Sequence, residues 1–237
     1  MIPKIIHYCW FGKGEKSKLA KKCIESWKKY CPDFKIIEWS EDNFDVNLID
    51  YTRFTHKNKL YAYLSDYVRL WAIFNHGGIY FDTDVELIKP LDDLLVLNGY
   101  LGFESDEFIN TGIGFGAEKN NPEILLMKSK YEDLSFEECE KKFQQYKCLT
   151  GSPKMNTYAL TPCGLVQNGK KQQVNSIQIF PVEFFCPFND ITGEMKINDN
   201  TYSIHWYSKS AQGKIAYYKS IVARPIRRVL KRIGVRN

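Results

Sequence analysis

The segment Ser65-Asp66-Tyr67-Val68-Arg69, continued by Asn75-His76-Gly77-Gly78-Ile79-Tyr80-Phe81-Asp82-Thr83-Asp84-Val85, organises the rest of the chain. Leu60, Tyr63, Leu64, Tyr67, Val68, Leu70, Trp71 and Phe74 recur at three- and four-residue spacings, which predicts a helix with one apolar stripe. His76-Gly77-Gly78 ends that helix, since glycine enters the left-handed backbone region that other residues resist. Ile79-Tyr80-Phe81 then reads as a short buried strand. Asp82 and Asp84 flank Thr83 at its end, and in an extended chain both carboxylates point to one side. Like charges held that close repel unless neutralised. A hard divalent cation neutralises them through oxygen ligands, often with a phosphate completing its shell. The expected chemistry is metal and diphosphate binding. A solvated Asp-x-Asp turn is the plain alternative, and the strand and Gly-Gly turn ahead of the pair weigh against it.

With 44% hydrophobic residues among 237, the chain can bury a full core as one domain. Its 15 Tyr, 15 Phe and 5 Trp are mostly core, although such rings also stack on sugars and bases. Cys9, Cys23, Cys31, Cys139, Cys148, Cys163 and Cys186 are odd in number and contain no Cys-x-x-Cys pair. That argues against a disulfide framework and a structural zinc site, and for a reducing cytosol. The first residues contain no long apolar run, so neither a signal peptide nor a membrane span is expected. The net charge of +5 is local: residues 214–237 hold eight of the 33 Lys and Arg and no acid, leaving 25 basic against 28 acidic side chains before them. An acidic body has no basic groove, so no nucleic-acid partner is expected.

Residues 4–10 read as a buried first strand, and Phe11-Gly12-Lys13-Gly14 leaves its carboxyl end, where ligands sit in open α/β sheets. Trp10 is therefore a candidate stacking platform for a base, or a core tryptophan. Residues 16–30 form an amphipathic helix with Leu19, Cys23, Ile24 and Trp27 on one face, and residues 34–39 a second strand parallel to the first. Residues 42–59 read as a polar, irregular connector. Residues 99–104 and 111–117 read as strands around a loop holding Asp106 and Asn110, and their glycines imply either backbone close to a ligand or tight packing. Residues 122–131 and the charged run 132–147 are expected helices. Thr150-Gly151-Ser152-Pro153 opens another, whose amino end suits an anion or sugar hydroxyl. Ile177–Phe180 and Val182–Phe185 read as strand pieces, and His205 sits where a last short strand opens into a loop. In the tail, Pro225 is expected to start a helix with Ile226, Val229, Leu230 and Ile233 on one face and Arg227, Arg228, Lys231 and Arg232 opposite. Such a helix lies on anionic membranes, each basic group contributing about 1 kcal/mol near the lipid.

Taken together, these residues resemble the DXD-containing sugar transferases of glycosyltransferase family 32, which include yeast Golgi mannosyltransferases and bacterial capsule and lipopolysaccharide enzymes. More distantly the sequence is similar to the glucosyltransferase domains of large clostridial toxins. The likeness runs from Ile2-Pro3-Lys4-Ile5-Ile6-His7 and Trp10 to His205-Trp206, and is most specific at Ser65-Asp66 with Arg69, at Gly77-Gly78, and from Tyr80 to Asp84. It implies an α/β architecture of GT-A type: a Rossmann-like mixed sheet flanked by helices, one domain over residues 1–213, with 214–237 as a basic amphipathic tail. It implies a metal-dependent, retaining hexosyltransferase that takes a nucleotide-sugar, a UDP-sugar favoured, to a glycan or glycolipid acceptor in surface polysaccharide synthesis. The expected location is cytoplasmic, peripheral at the inner membrane face.

In the site implied by that resemblance, Trp10 stacks on the base, and backbone from Ile6 through His7 to Tyr8 meets its edge. Asp66, Arg69, Asp82 and Asp84 form the catalytic set. Asp66 would bind donor sugar or ribose, Arg69 donor sugar or diphosphate, and Asp82 ribose and, through water, the metal, with Thr83 beside the donor. Asp84 would ligate Mn2+ or Mg2+ directly, and His205 would contact metal or diphosphate. Family members often carry Ser-Trp or Ser-x-x-Trp after the His-Trp pair; here Ser208-Lys209-Ser210 runs into Ala211-Gln212, and Lys209 is the candidate replacement charge at the leaving diphosphate. Asp106, Asn110, Thr150 and Gly151 are the acceptor-binding candidates.

Two rivals differ in class. A haloacid-dehalogenase-like phosphatase would use Asp82 as nucleophile and Asp84 as acid/base within Phe81-Asp82-Thr83-Asp84-Val85. That group needs the motif on its first strand and a later Gly-Asp-x-x-x-Asp segment, and the sequence has neither. A non-catalytic carbohydrate-binding protein would keep the aromatics but has little need of paired aspartates together with Asp66 and Arg69.

Overall fold

Two strands and a helix start the chain in the computed structural model, which describes residues 1–208, 222–225 and 227–228. Strand β1 (Ile5–Cys9) is followed by helix α1 (Lys18–Tyr30) and strand β2 (Lys35–Trp39). The Ser17 side chain caps α1 by accepting from the Ala20 N–H, and Ala20, Cys23, Ile24 and Trp27 form its buried face. Next come α2 (Asp50–Lys57), α3 (Tyr61–His76), β3 (Gly78–Tyr80), β4 (Val85–Leu87), α4 (Asp92–Leu95), β5 (Gly99–Phe103), β6 (Ile109–Asn110) and β7 (Phe115–Ala117). Then follow α5 (Pro122–Glu132), α6 (Phe136–Tyr146), α7 (Ser152–Leu160), β8 (Gln172–Val174), β9 (Ile177–Phe180), α8 (Val182–Phe185) and β10 (Ser203–His205).

The main sheet runs β2-β1-β3-β7-β5-β9-β8, with β6 paired to β5. It is mixed: β1 is parallel to β2 and β3, and β5 to β9, while β7 is antiparallel to both β3 and β5. Strand β4 pairs with β10 in a separate two-stranded sheet that places His205 opposite Val85. Alternating side chains divide the core in two, as the two-residue period of a strand requires. Tyr80, Leu101, Phe103 and Phe115 face α3 and α5 on one side. Ile6, Tyr8, Ile79, Phe81 and Tyr100 meet Cys23, Ile24 and Trp27 of α1 on the other. The expected α/β architecture, a mixed sheet flanked by helices, is therefore the one found.

Several local expectations are corrected. Within the supposed connector 42–59, α2 buries Tyr51, Thr52, Phe54 and Thr55, a stripe that its polar neighbours hide from a periodicity search. Val182–Phe185 is one helical turn, not a strand: Pro181 starts it, and the Cys186 N–H closes on the Val182 carbonyl at 2.8 Å. Asn110 lies in β6 rather than in a loop, and β8 carries too little apolar signal to be read. Val222, Ala223 and Arg224 are already helical ahead of Pro225, so Pro225 does not begin that helix. Among the described residues, no helix is long and apolar enough to cross a membrane.

Candidate active site

The site forms where the carboxyl ends of β1 and β3 meet the segment after β10. Helix α3 stops at Gly77, whose φ of +66° suits a residue without a Cβ and whose N–H still reaches the Ile73 carbonyl. This stop sends β3 back alongside β1 and delivers Asp82 to the face of α3 that carries Asp66 and Arg69. One guanidinium nitrogen of Arg69 lies 3.1 Å from Asp66 Oδ1 and 3.0 Å from Asp82 Oδ1. Its Nε donates to the Ser65 carbonyl at 3.1 Å, so the side chain is fixed from its own helix. The Tyr80 hydroxyl also donates to Asp82 Oδ1 at 3.0 Å.

The two aspartates do not share an extended strand. Thr83 and Asp84 make a turn closed by the Val85 N–H on the Asp82 carbonyl at 3.0 Å. Register in the β4/β10 pair then brings His205 against Asp84, with Nε2 3.2 Å from Oδ1. The Ser208 N–H donates to Asp84 Oδ2 at 2.8 Å, and the Trp206 N–H to the Asp84 carbonyl at 3.0 Å. Ligand atoms of Asp82, Asp84 and His205 all lie within 4.8 Å of one another. Two hard oxygens and one imidazole nitrogen are a donor set that Mn2+ or Mg2+ accepts. Among the described residues, the His205 ring lies between the Asp84 carboxylate, the Cys186 thiol and the Tyr207 ring, whose centre is 4.0 Å away.

Burial sets the electrostatics. Asp66 is pushed up by desolvation to about 7, against the pull of Arg69 and of hydrogen bonds from the Ser152 hydroxyl and N–H at the start of α7. Asp82 is likewise raised by burial, with Arg69 opposing. Burial would raise Asp84 too, but the charge and hydrogen bond of His205, with Ser208, hold it well below the usual carboxylate range. Burial opposes a charge on His205, yet the Asp84 carboxylate raises it well above its ordinary value. Asp84 thus differs in proton affinity from Asp66 and Asp82, the one held down by its partners and the others raised by burial.

Asp66, Arg69, Asp82, Asp84 and His205 come together, with Thr83 in the turn between the aspartates. His7 does not present its ring. It is fully buried, bonded through Nε2 to the Gly77 carbonyl at 2.9 Å and accepting at Nδ1 from Trp39 at 3.1 Å, and burial lowers it to about 4. The Tyr8 hydroxyl is bound to Glu38. Trp10, just beyond β1, is half-buried, donates to the Gly14 carbonyl at 2.6 Å and has the Lys16 ammonium 5.5 Å from its ring centre. Asn110 stands behind the site, donating to Glu104 and accepting from the Gly112 N–H, both at 2.6 Å. Asp106 is exposed on the β5–β6 loop. Thr150 lines a different cleft, of about 530 Å3, over α6 and α7, and Gly151 precedes α7 as its cap residue. Lys209 lies outside the described residues.

Sequence reasoning did not single out Gly112. Its carbonyl takes the Asp82 N–H at 3.0 Å, and a Cβ there would fall 2.2 Å from Asp82 Oδ2 and 3.0 Å from an Arg69 nitrogen. The glycine-rich run 112–116 was the available signal, but it could not separate a site glycine from a packing one. Ser152 was read only as part of the loop 150–153 that opens α7, and its hydrogen bonds to Asp66 had no signal in the sequence.

Residues 17–99 match the glycosyltransferase sugar-binding region containing a DXD motif. The match takes in Asp66, Arg69, Asp82 and Asp84 and bears out the resemblance read from the sequence. Among curated proteins, the chain is 29% identical over 132 residues to inositol phosphoceramide mannosyltransferase 3 of Schizosaccharomyces pombe, covering 52% of this chain and 35% of the relative. It is 38% identical over 103 residues to the uncharacterized glycosyltransferase L373 of Acanthamoeba polyphaga mimivirus, covering 41% of each. The chain thus spans only about a third to two-fifths of the length of these relatives. Among solved structures it is similar to the PaToxG glycosyltransferase, with 21% identity, a TM-score of 0.47 and 68% of each chain covered. It is also similar to a glycosyltransferase involved in glycosylation of the major capsid of PBCV-1, with 11% identity, a TM-score of 0.46, and 92% of this chain and 100% of that one covered.

Proposed function

We propose that the chain is a metal-dependent retaining glycosyltransferase that moves a sugar from a nucleotide-sugar, with a UDP-sugar favoured, to a glycan or glycolipid acceptor in surface polysaccharide synthesis. The observation that carries this reading is the convergence of Asp82, Asp84 and His205 within 4.8 Å, beside an Asp82 that Arg69 and Tyr80 hold in place. Those three residues would hold Mn2+ or Mg2+. When bound, the cation would offset negative charge gathering on the departing diphosphate. Arg69 keeps Asp82 oriented. Asp66, about half protonated at pH 7, can in its neutral form donate to a sugar hydroxyl while Ser152 fixes its other contacts. Trp10 offers a ring face to the base, and Lys209 a charge to the diphosphate.

In the reaction, the anomeric carbon–oxygen bond to the diphosphate breaks and a bond to the acceptor oxygen forms. The acceptor's proton passes to the leaving phosphate, and the nucleoside diphosphate departs. Calorimetric titration with UDP- and GDP-sugars, with and without manganese, tests this on the native chain and on Asp84→Ala. Manganese-dependent binding of one nucleotide class, lost in Asp84→Ala, is the expected result. No nucleotide binding under any condition would overturn it.

The proposal extends to peripheral attachment at the inner membrane face through residues 214–237. Arg224 and Arg228 turn toward the protein, so lipid contact would fall to basic residues such as Lys231 and Arg232, which lie outside the described residues. Membrane-fraction partitioning that is unchanged in Lys231→Gln with Arg232→Gln would remove this part.

A further inference from the structure

Next to the site lies a cleft of about 670 Å3, within the range of roughly 300–1,000 Å3 common for small-molecule sites. Its inner wall is Cys186 and Tyr207. The Tyr207 ring stands 4.0 Å from that of His205, and its hydroxyl meets Cys186 Sγ at 3.0 Å. Glu104 lines the cleft as well, and is tied to Asp82 through Asn110 and Gly112. Tyr207, which lines the cleft, thus touches His205 of the proposed metal-holding set.

The outer wall is the loop carrying Phe188 and Asp190, and the C-terminal segment grips it. Arg224 donates to Asp190 Oδ1 at 2.7 Å and to the Asp190 carbonyl at 3.1 Å, with its guanidinium 5.0 Å from the centre of the Phe188 ring. Arg228 donates to the Thr192 carbonyl at 3.2 Å. Gly193 leaves room for this: a Cβ there would stand 3.0 Å from Arg224 Cδ. Arg224 and Asp190 keep only 17% and 15% of their side-chain surface in water. That is the burial of a structural contact, not of a group reserved for a lipid surface.

Charge then narrows what the cleft can take. Beyond Asp190, which Arg224 engages, Glu104, Asp106, Glu183 and Glu194 line it against Lys196. Carboxylates accept hydrogen bonds from sugar hydroxyls or amines, while a ligand carboxylate or phosphate would meet like charge.

We propose that this cleft receives the acceptor sugar, that it selects a neutral or amine-bearing ring over an anionic one, and that Arg224 is a positioning residue which fixes the Phe188–Asp190 wall. The proposal rests on the transferase reading for the word acceptor, but the cleft, its charge and the grip of Arg224 stand independently of the donor.

The test uses the full chain and ligand-observed NMR with three probes: a methyl hexoside, a methyl glucosaminide and a methyl glucuronide. Nucleotide-sugar affinity is measured in parallel by calorimetry. The hexoside and glucosaminide are expected to bind and the glucuronide not. Arg224→Ala should weaken the binding probes about tenfold, equivalent to about 1.4 kcal/mol, and leave donor affinity within about twofold. Arg224→Lys should recover part of the loss, and a native-like melting transition would separate positioning from unfolding. Glucuronide binding as strong as hexoside binding, no binding of any probe, or equal probe affinity in Arg224→Ala would each overturn the proposal. Donor binding that persists alongside such a result leaves the transferase reading intact. Probe binding without donor binding would overturn that reading instead and leave the cleft assignment standing.

Discussion

Asp66 places a titratable carboxyl in the fold at a measurable cost. Burial raises it from the ordinary 3.8 to about 7. That interval corresponds to about 4 kcal/mol, at about 1.4 kcal/mol per pH unit. The sign follows from proton binding: between about 3.8 and 7 the folded state holds a proton that the unfolded state has lost. This contribution to stability is therefore complete at low pH and disappears as pH rises through 7. Asp66→Asn removes the ionisation while keeping a polar side chain against Ser152 and Arg69. Urea unfolding followed by tryptophan fluorescence, on the native chain and on Asp66→Asn at pH 4.5, 6 and 8, measures the difference. Relative to the native chain, the variant should gain stability steadily from pH 4.5 to pH 8, by up to about 4 kcal/mol over the whole titration, while losing donor binding. A stability difference that stays constant with pH would refute the argument that the site holds Asp66 against its ordinary ionisation.

Two further outcomes follow from buried contacts. His7 is lowered from 6.5 to about 4, chiefly by burial, so it contributes in the opposite direction: stability is full above pH 6.5 and falls by about 3 kcal/mol as pH drops to 4. His7→Gln, which can still donate to Gly77 and accept from Trp39, should remove that dependence, and an identical pH profile for the variant would count against it. Gly112→Ala would force a Cβ to within 2.2 Å of Asp82 Oδ2. Manganese affinity, read by electron paramagnetic resonance, should drop at least about tenfold with the circular dichroism spectrum retained, and unchanged affinity would show that Asp82 is not held from Gly112.

Much of the framework was legible because it follows from local rules. The three- and four-residue apolar spacing from Leu60 to Phe74 gave α3, Gly77 gave its end, and the β-α-β order gave the parallel β1/β2 pair. The paired residue types at Asp82 and Asp84 pointed to metal and diphosphate chemistry, and the family resemblance added Asp66 and Arg69. By contrast, α2 and the turn at Val182–Phe185 escaped because their burial comes from distant partners: Tyr51 packs on Tyr131, and Phe185 on Tyr100.

Tertiary structure alone decided the assembled site. His205 reaches Asp84 only because β10 pairs with β4 across more than a hundred residues, and Ser152 reaches Asp66 only because α7 begins beside α3. Arg224, read from sequence as one charge on a basic tail, is instead committed to Asp190 and Phe188. Sequence spacing carries the period of a helix or strand, since that period is set by backbone geometry. It carries no record of which separate segments share a low-dielectric pocket, and that sharing fixes the protonation of Asp66 and His7 and the partner of Arg224.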